Sequence, residues 1–416
     1  MTAAEPVDRD ADFGHRGAID MLHRIYLSPG MFGFARLASY DYFVHFRGAL
    51  GERLRAQGDD VEVHVVRVAP TASIRRRALK LTELVASTCG GADAGPIHLV
   101  GHSTGGLDGR LVASPSVALG APPETVAWRP RLASVTTMNT PHFGTPLASF
   151  FTTMSGERML RAVSALTLVA LSVGSTPLSI LGALVAMFAH VDRAVGLDLK
   201  LIDRTTETLV RTIDEVRGRD IREYLDSIDE DNGAMVQLMP EAMDLFAAGV
   251  EDRPGVLYQS TATMAPAPSA RTFLHSLGTP WSGVSGVLFD FLYAITSRYD
   301  ARYPCAAPDC GKDNERTLVE AIGHTPDFRA NDGAVPIRSQ IWGKLVWAGY
   351  GDHLDVLGHY GGDTVRAQPQ PAGPGKGAAA HVDWLCSGSR FNSERFGAMV
   401  DAITPGMLSS ARALSA

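Results

Sequence analysis

The chain has 416 residues, of which 45% are hydrophobic and 20% are charged, so it can bury a large core and is too apolar to be disordered. A formal net charge of -7 gives no electrostatic footprint for nucleic acid, and we expect no nucleic-acid partner. The one basic run, Arg75-Arg76-Arg77, lies on a predicted helix, where we expect it to form a solvated face.

The amino terminus and the cysteines bear on the cellular compartment. The first 20 residues contain five acidic residues, two arginines and no apolar run, so the sequence shows no secretory signal. We therefore expect a cytoplasmic protein, with export by another route left open. Only Cys305 and Cys310, of four cysteines, lie close in sequence, and without an export signal free thiols are expected ahead of a disulfide.

Strands and helices alternate along the chain, which implies βαβ units and a mostly parallel sheet. After residue 250 the pattern returns, and a Pro- and Gly-containing stretch at 362–380 predicts a flexible linker. Apolar periodicity predicts strands at 24–27, 61–68, 96–100, 132–138 and 256–261, and helices at 35–57, 73–85, 107–112, 284–295 and 391–403.

The motif Gly101-His102-Ser103-Thr104-Gly105 stands between an apolar strand and a helix. The backbone at such a turn is strained and the two elements pack closely, so glycines are needed two places before and after the serine. A serine held there stands above the N-terminus of a helix, whose N–H groups favour a developing negative charge. The motif predicts a nucleophilic Ser103, although such a pattern alone can arise by chance in a chain with 42 glycines.

Residues 150–235 interrupt the alternation. Residues 166–188 form a run of 23 residues without a charge, and about 20 apolar residues suffice to cross a bilayer. Because Pro177 and its small neighbours divide the run into two shorter pieces, we expect a helical cap, or lid, ahead of a membrane span or ordinary buried core. A cap of this kind shields a site and opens at an oily surface, so transient contact with a lipid interface is expected.

A serine hydroxyl becomes a good nucleophile when a base removes its proton, and an acid must orient that base. Hydrolases built on this elbow carry the three residues in the order serine, acid, histidine. Asp332, on a turn before glycine, and His353 fit that order as orienting acid and general base. The alternatives are a turn-forming role for Asp332, and for His353 a surface histidine paired with Asp352 or Asp355.

Four stretches of the chain carry a further signal: 101–106, 140–148, 331–335 and 353–355. Together, and in this order, they resemble the bacterial triacylglycerol lipase and carboxylesterase family of the α/β-hydrolase fold. The resemblance implies a mostly parallel sheet flanked by helices with an inserted helical cap. The corresponding organisation is a hydrolase core at 1–149, the cap at 150–235 and the second part of the core at 236–416.

The same resemblance implies these roles for the three catalytic candidates and adds an oxyanion hole. Its donors are the backbone N–H groups of Met31 and Thr104, the residues after Gly30 and Ser103. No cofactor is implied. The chain departs from the family at the oxyanion loop, where Pro29-Gly30 stands in place of His-Gly, and in showing no export signal.

Some members of the family hold a structural calcium through an aspartate two residues after the catalytic histidine, the place of Asp355. A hard cation needs several oxygen ligands, and a second carboxylate cannot be assigned here, since Asp309 and Asp313 are only nearby in sequence. We therefore expect Asp355 to cap a loop or helix, and we predict no metal ligand among the site residues.

The sequence thus predicts a serine carboxylester hydrolase, a lipase or esterase, that cleaves apolar acyl esters through an acyl-enzyme. Its expected partner is an ester or lipid small molecule. An acyltransferase, a thioesterase or a polyester depolymerase would use the same three residues and stays open. So does a catalytically silent protein of this fold that binds a lipid.

Overall fold

The computed structural model describes residues 21–31, 42–69, 71–91, 94–153, 160, 207, 231–269, 280–298, 302–303, 305, 307–360, 381 and 383–415. At its centre is a six-stranded sheet in the order β2-β1-β3-β4-β5-β6, in which every neighbouring pair is parallel. The strands are β1 (Leu22–Ser28), β2 (Asp60–Val65), β3 (Ile97–His102), β4 (Leu132–Met138), β5 (Leu257–Met264) and β6 (Lys344–Tyr350).

Helices cover both faces of this sheet, as a parallel sheet requires, because side chains alternate between its two faces. In β1, Ile25 and Leu27 pack in one core cluster with helices α1 (Val44–Arg55) and α9 (Ser393–Ser415), whereas Tyr26 packs in another with helices α2 (Ile74–Thr88) and α3 (Thr104–Ala113). The described helices are α1 (Val44–Arg55), α2 (Ile74–Thr88), α3 (Thr104–Ala113), α4 (Pro146–Phe151), α5 (Gly233–Gln237), α6 (Pro240–Gly249), α7 (Pro280–Thr296), α8 (Lys312–Ile322) and α9 (Ser393–Ser415).

Most predicted elements are present, and the predicted mostly parallel sheet flanked by helices is confirmed. The strand predicted at 132–138 has the same bounds as β4, which is buried along its whole length. The helix predicted at 73–85 begins where expected, because the Ser73 side chain caps it by accepting the N–H of Arg76. The helix predicted at 391–403 is longer than expected and continues through Pro405 to Ser415.

Two further predictions have clear outcomes. Cys305 and Cys310 are not joined by a disulfide, as expected. The expectation that the run Arg75-Arg76-Arg77 is a solvated face is wrong for Arg77, which is 1% exposed. Arg77 lies three residues after Ile74 and four before Leu81, so it shares the buried face of α2 with them.

Several predicted segments lie outside the described residues. These are almost all of the cap at 150–235, the linker at 362–380 and the start of the helix predicted at 35–57. They stay predictions. Among the helices that are described, none is both long and apolar enough to cross a membrane.

The topology places the candidate residues at one edge of the sheet. All six strands run in the same direction, so their carboxyl ends lie together. Met31 follows β1, Ser103 follows β3 and His353 follows β6. Asp332 joins them because the backbone carbonyl of Asn331 accepts the N–H of Ala265, the residue after β5.

Candidate active site

Ser103 occupies a strained turn between β3 and α3. Its backbone has φ 53° and ψ -129°, in a region that costs a non-glycine residue of order 1–3 kcal/mol. The turn tolerates no side chain on either flank, since a Cβ at Gly101 would lie 2.2 Å from the Gly105 carbonyl carbon and one at Gly105 would lie 2.1 Å from the Ser28 oxygen. The neighbouring strand stabilises this strained backbone, because the Ser103 N–H donates to the Met138 carbonyl at 2.8 Å.

The structure brings together the three residues predicted from their order in the chain. His353 Nε2 lies 2.9 Å from Ser103 Oγ, and His353 Nδ1 lies 2.7 Å from Asp332 Oδ2. All three side chains are buried. A carboxylate only accepts hydrogen bonds, so Nδ1 carries the proton and the Nε2 lone pair faces the serine hydroxyl. This arrangement can take a proton from Ser103.

Asp332 fills both roles considered for it. Its Oδ1 accepts the backbone N–H groups of Ala334 and Val335 at 2.9 and 2.7 Å, which forms the turn, while Oδ2 is directed to the imidazole. The backbone N–H of His353 in turn donates to the Asp332 carbonyl at 2.9 Å. The turn therefore fixes the carboxylate, and the carboxylate fixes the histidine.

The loop after β1 passes directly over the serine. A Cβ at Gly30 would lie 2.6 Å from Ser103 Cβ, so only a glycine permits this approach. Met31 is the next residue and is buried. Thr104 is the first residue of α3, where backbone N–H groups have no partner within the helix. Both predicted oxyanion positions thus flank Ser103.

A buried ion pair ties this loop to the helix that follows the serine. The Arg77 guanidinium is 2.8 Å from Asp108 Oδ2, with both side chains fully buried, and it also donates to the Pro29 carbonyl. Ser28 Oγ donates to the same carboxylate at 2.6 Å. Burial raises the pKa of Asp108, and the Arg77 charge opposes that rise. The loop at Pro29-Gly30, where the sequence differs from the family pattern, is therefore held by hydrogen bonds of its own. Sequence analysis did not predict these bonds.

Three carboxylates gather behind the histidine loop. One oxygen each from Asp352, Asp355 and Asp383 lies within 4.8 Å of the others. Asp355 caps its loop as expected, since its Oδ2 accepts the Asp352 N–H at 2.8 Å, and its Oδ1 lies 2.6 Å from His381 Nε2. Burial, and then the charge of Asp355, raises the pKa of both Asp352 and Asp383.

This cluster contains Asp355, the residue that the resemblance associates with calcium, and two further carboxylates. Asp309 and Asp313 are not part of it, and Asp383 is the additional carboxylate that sequence analysis could not assign. Among the described residues, Asp352 Oδ2 is buried without a hydrogen-bonding partner. Three carboxylates, one of them with a buried oxygen that lacks a hydrogen-bonding partner, fit a hard divalent cation. Asp352, Asp355 and Asp383 would hold it, and the cation would neutralise them and rigidify the loop that carries His353.

Comparison with known proteins gives one relative in sequence. The chain is 35% identical over 99 residues, 24% of its length, to a triacylglycerol lipase of Vibrio cholerae serotype O1. The matched segment spans 30% of that relative's length. No family model matches the chain.

Solved structures with a similar chain trace include a Staphylococcus hyicus lipase, at 14% identity and a TM-score of 0.49 over 94% of this chain and 97% of that one. EstA from Clostridium botulinum has 17% identity and a TM-score of 0.45 over 89% of this chain and 86% of that one.

The buried ion pair generates a stability prediction. We expect Arg77→Met to lower the free energy of unfolding by about 3–5 kcal/mol, because it leaves the Asp108 carboxylate buried and unpaired. The double variant Arg77→Met/Asp108→Leu removes both charges and should regain most of that loss. Urea unfolding measures both. Equal destabilisation of the two variants would contradict the ion-pair account.

The carboxylate cluster generates a second prediction. Folding raises the pKa of Asp352 and Asp383. Such acids contribute fully to the stability of the protein below their pKa in the unfolded chain, and this contribution to stability is lost as the pH rises through their pKa in the folded protein. In EDTA, the melting temperature should therefore fall as the pH rises above about 4, the pKa of an aspartate in the unfolded chain. Calcium should oppose the fall, so its stabilising shift should be larger at pH 8 than at pH 5.

Asp352→Asn removes one buried charge and should reduce both the pH-dependent fall and the calcium shift. The matched control is Asp313→Asn, an exposed acid outside the cluster, which should leave both unchanged. A calcium shift of the same size in Asp352→Asn as in the unaltered protein would exclude this site.

Proposed function

We propose that this chain, which is similar over 99 residues to a bacterial triacylglycerol lipase and has a parallel six-stranded sheet, is a serine carboxylester hydrolase acting on apolar acyl esters. The observation that carries the proposal is the unbroken line of hydrogen bonds from Ser103 through His353 to Asp332. Three residues far apart in sequence meet in the geometry that activates a hydroxyl.

In the acylation half of the reaction, Ser103 Oγ attacks the ester carbonyl carbon while His353 Nε2 takes its proton. The imidazolium that forms is stabilised by Asp332 Oδ2 at 2.7 Å from Nδ1. The carbonyl π electrons move to oxygen, giving a tetrahedral oxyanion. When the oxyanion collapses, the ester C–O bond breaks and His353 returns the proton to the departing alcohol.

Deacylation repeats these steps with water as the nucleophile. His353 Nε2 takes a proton from water, the hydroxide attacks the acyl carbon, and the bond to Ser103 Oγ breaks. The serine recovers its proton from His353, and a carboxylic acid leaves. His353 must occupy the same position in acylation and in deacylation. The hydrogen bond from its backbone N–H to the Asp332 carbonyl holds it there in both reactions.

The oxyanion is assigned to the backbone N–H groups of Met31 and Thr104. The position of Thr104 at the start of α3 supports this, because free N–H groups and the helix dipole favour negative charge there. The close passage of Gly30 over Ser103 supports the assignment of Met31. Removing one such donor typically costs about 10²–10³ in rate.

The substrate class is proposed from the apolar segment predicted as a cap. The run at 166–188 has no charge, which favours an oily acyl chain over a charged substrate. It also supports transient contact with a lipid interface through the cap. Hydrolysis stands ahead of acyl transfer in the proposal, and comparing products with and without an added alcohol distinguishes the two.

Ser103→Ala tests the nucleophile. We expect it to lower hydrolysis of a chromogenic fatty ester by about 10⁴–10⁶-fold, because no hydroxyl remains to form the acyl-enzyme. It should also abolish labelling by a fluorophosphonate. The control is Ser114→Ala, a buried serine after α3, which should retain labelling. Labelling that persists in Ser103→Ala would rule out this nucleophile.

The loop anchor gives a separate activity prediction. In Arg77→Met/Asp108→Leu the stability returns, but Pro29 and Ser28 lose the groups that hold the loop. We expect kcat to fall by about 10–100-fold with the melting temperature near that of the unaltered protein, since the Met31 donor is no longer fixed. Full activity in a folded double variant would show that the loop needs no anchor.

A further inference from the structure

His102, the residue before the serine, is fully buried and is not one of the three residues of the proposed mechanism. Both of its ring nitrogens are bonded. Nδ1 lies 2.6 Å from the Tyr42 hydroxyl, and Nε2 lies 2.8 Å from the backbone carbonyl oxygen of His353. The last residue of β3 therefore contacts the loop that carries the base, 251 positions further along the chain.

These partners fix the tautomer of His102. A carbonyl oxygen only accepts, so Nε2 carries the proton and donates it to His353. Burial, and then the nearby His353, holds the pKa of His102 well below its ordinary value, so the ring is neutral. A neutral ring protonated at Nε2 has a bare Nδ1, which accepts the O–H of Tyr42.

The contact completes a set of bonds around the base. His353 is held at its side chain by Ser103 and Asp332 and at its backbone N–H by the Asp332 carbonyl. The remaining backbone group, its carbonyl, is held by His102. The backbone N–H of His353 is thus held by Asp332, and its backbone carbonyl is held by His102, the residue before Ser103. The distance between His353 and Ser103 is therefore fixed through the main chain as well as through the side chains.

Tyr42 extends this connection to the oxyanion loop. A Cβ at Gly30 would lie 3.2 Å from the Tyr42 hydroxyl, so the hydroxyl touches the same loop that passes over Ser103. The Tyr42 side chain is also buried. A shift of this tyrosine would therefore reach both the oxyanion loop and, through His102, the base.

We propose that His102 is a positioning residue, which holds the His353 loop at hydrogen-bonding distance from Ser103 by donating from Nε2 to the His353 carbonyl, while Tyr42 donates to its Nδ1. The proposal rests on the esterase function proposed above. His102 does not act as a second base, because both nitrogens are bonded. Its neutrality also matters, since a charge on a ring 4.9 Å from the His353 ring would oppose the imidazolium.

Two conservative variants separate the two nitrogens. In His102→Gln the amide NH₂ can stand near the place of Nε2 and donate to the His353 carbonyl. In His102→Asn the amide oxygen can stand near Nδ1 and accept from Tyr42, but no group reaches the carbonyl. We expect His102→Asn to lower kcat by about 10–100-fold with KM within about twofold, because the base is displaced by a fraction of an ångström. His102→Gln should restore most of the loss.

The second-order rate of fluorophosphonate labelling should follow kcat in the same order, and melting temperatures show that each variant is folded. Equal kcat in the folded Asn and Gln variants would overturn the proposal. If the unaltered protein neither hydrolyses esters nor is labelled, the esterase proposal has failed instead.

The tautomer provides a readout that needs no activity. The ¹⁵N imidazole shifts of His102 should show a neutral ring protonated at Nε2 from about pH 6 to pH 9. A charged or Nδ1-protonated His102 in the unaltered protein would overturn the proposal even if the His102 variants do not fold.

Discussion

The bond between His353 Nδ1 and Asp332 Oδ2 decides which nitrogen of the proposed base faces Ser103, the proposed nucleophile, and the site depends on it. The carboxylate can make this bond because its other oxygen is held by two backbone N–H groups of its own turn. With the proton fixed on Nδ1, Nε2 is an acceptor at 2.9 Å from Ser103 Oγ. Reversal of the tautomer would place two donors against each other and remove the base.

The parallel sheet makes this bond possible. Its carboxyl edge brings together loops that are more than 300 residues apart, and the turn at Ser103 is strained to present the hydroxyl there. Around this edge the protein buries polar groups in connected sets. The Arg77–Asp108 pair holds the oxyanion loop, and the contact from His102 holds the base loop. Each of these two groups of polar contacts fixes one loop relative to Ser103. A buried polar network of this kind is stable only when its polar atoms have hydrogen-bonding partners.

Local rules predicted the parts of the structure that depend on local physics. Glycine spacing located the turn at Ser103, and the order of residues located Asp332 and His353, which the structure places in contact. Contacts between distant residues were missed. Arg77 was assigned to a solvated face because its partner, Asp108, lies on another helix, although the spacing from Ile74 and Leu81 was a usable signal. No pattern signals a histidine whose acceptor is a backbone carbonyl.

The proposed mechanism places Ser103, His353 and Asp332 in one crevice beside the N–H groups of Met31 and Thr104. A crystal structure of the protein inactivated by a p-nitrophenyl alkylphosphonate tests it directly. We expect a covalent bond from phosphorus to Ser103 Oγ and the phosphonyl oxygen at about 2.7–3.1 Å from both backbone nitrogens. Phosphorus bound to another residue, or a phosphonyl oxygen directed away from both N–H groups, would contradict the account.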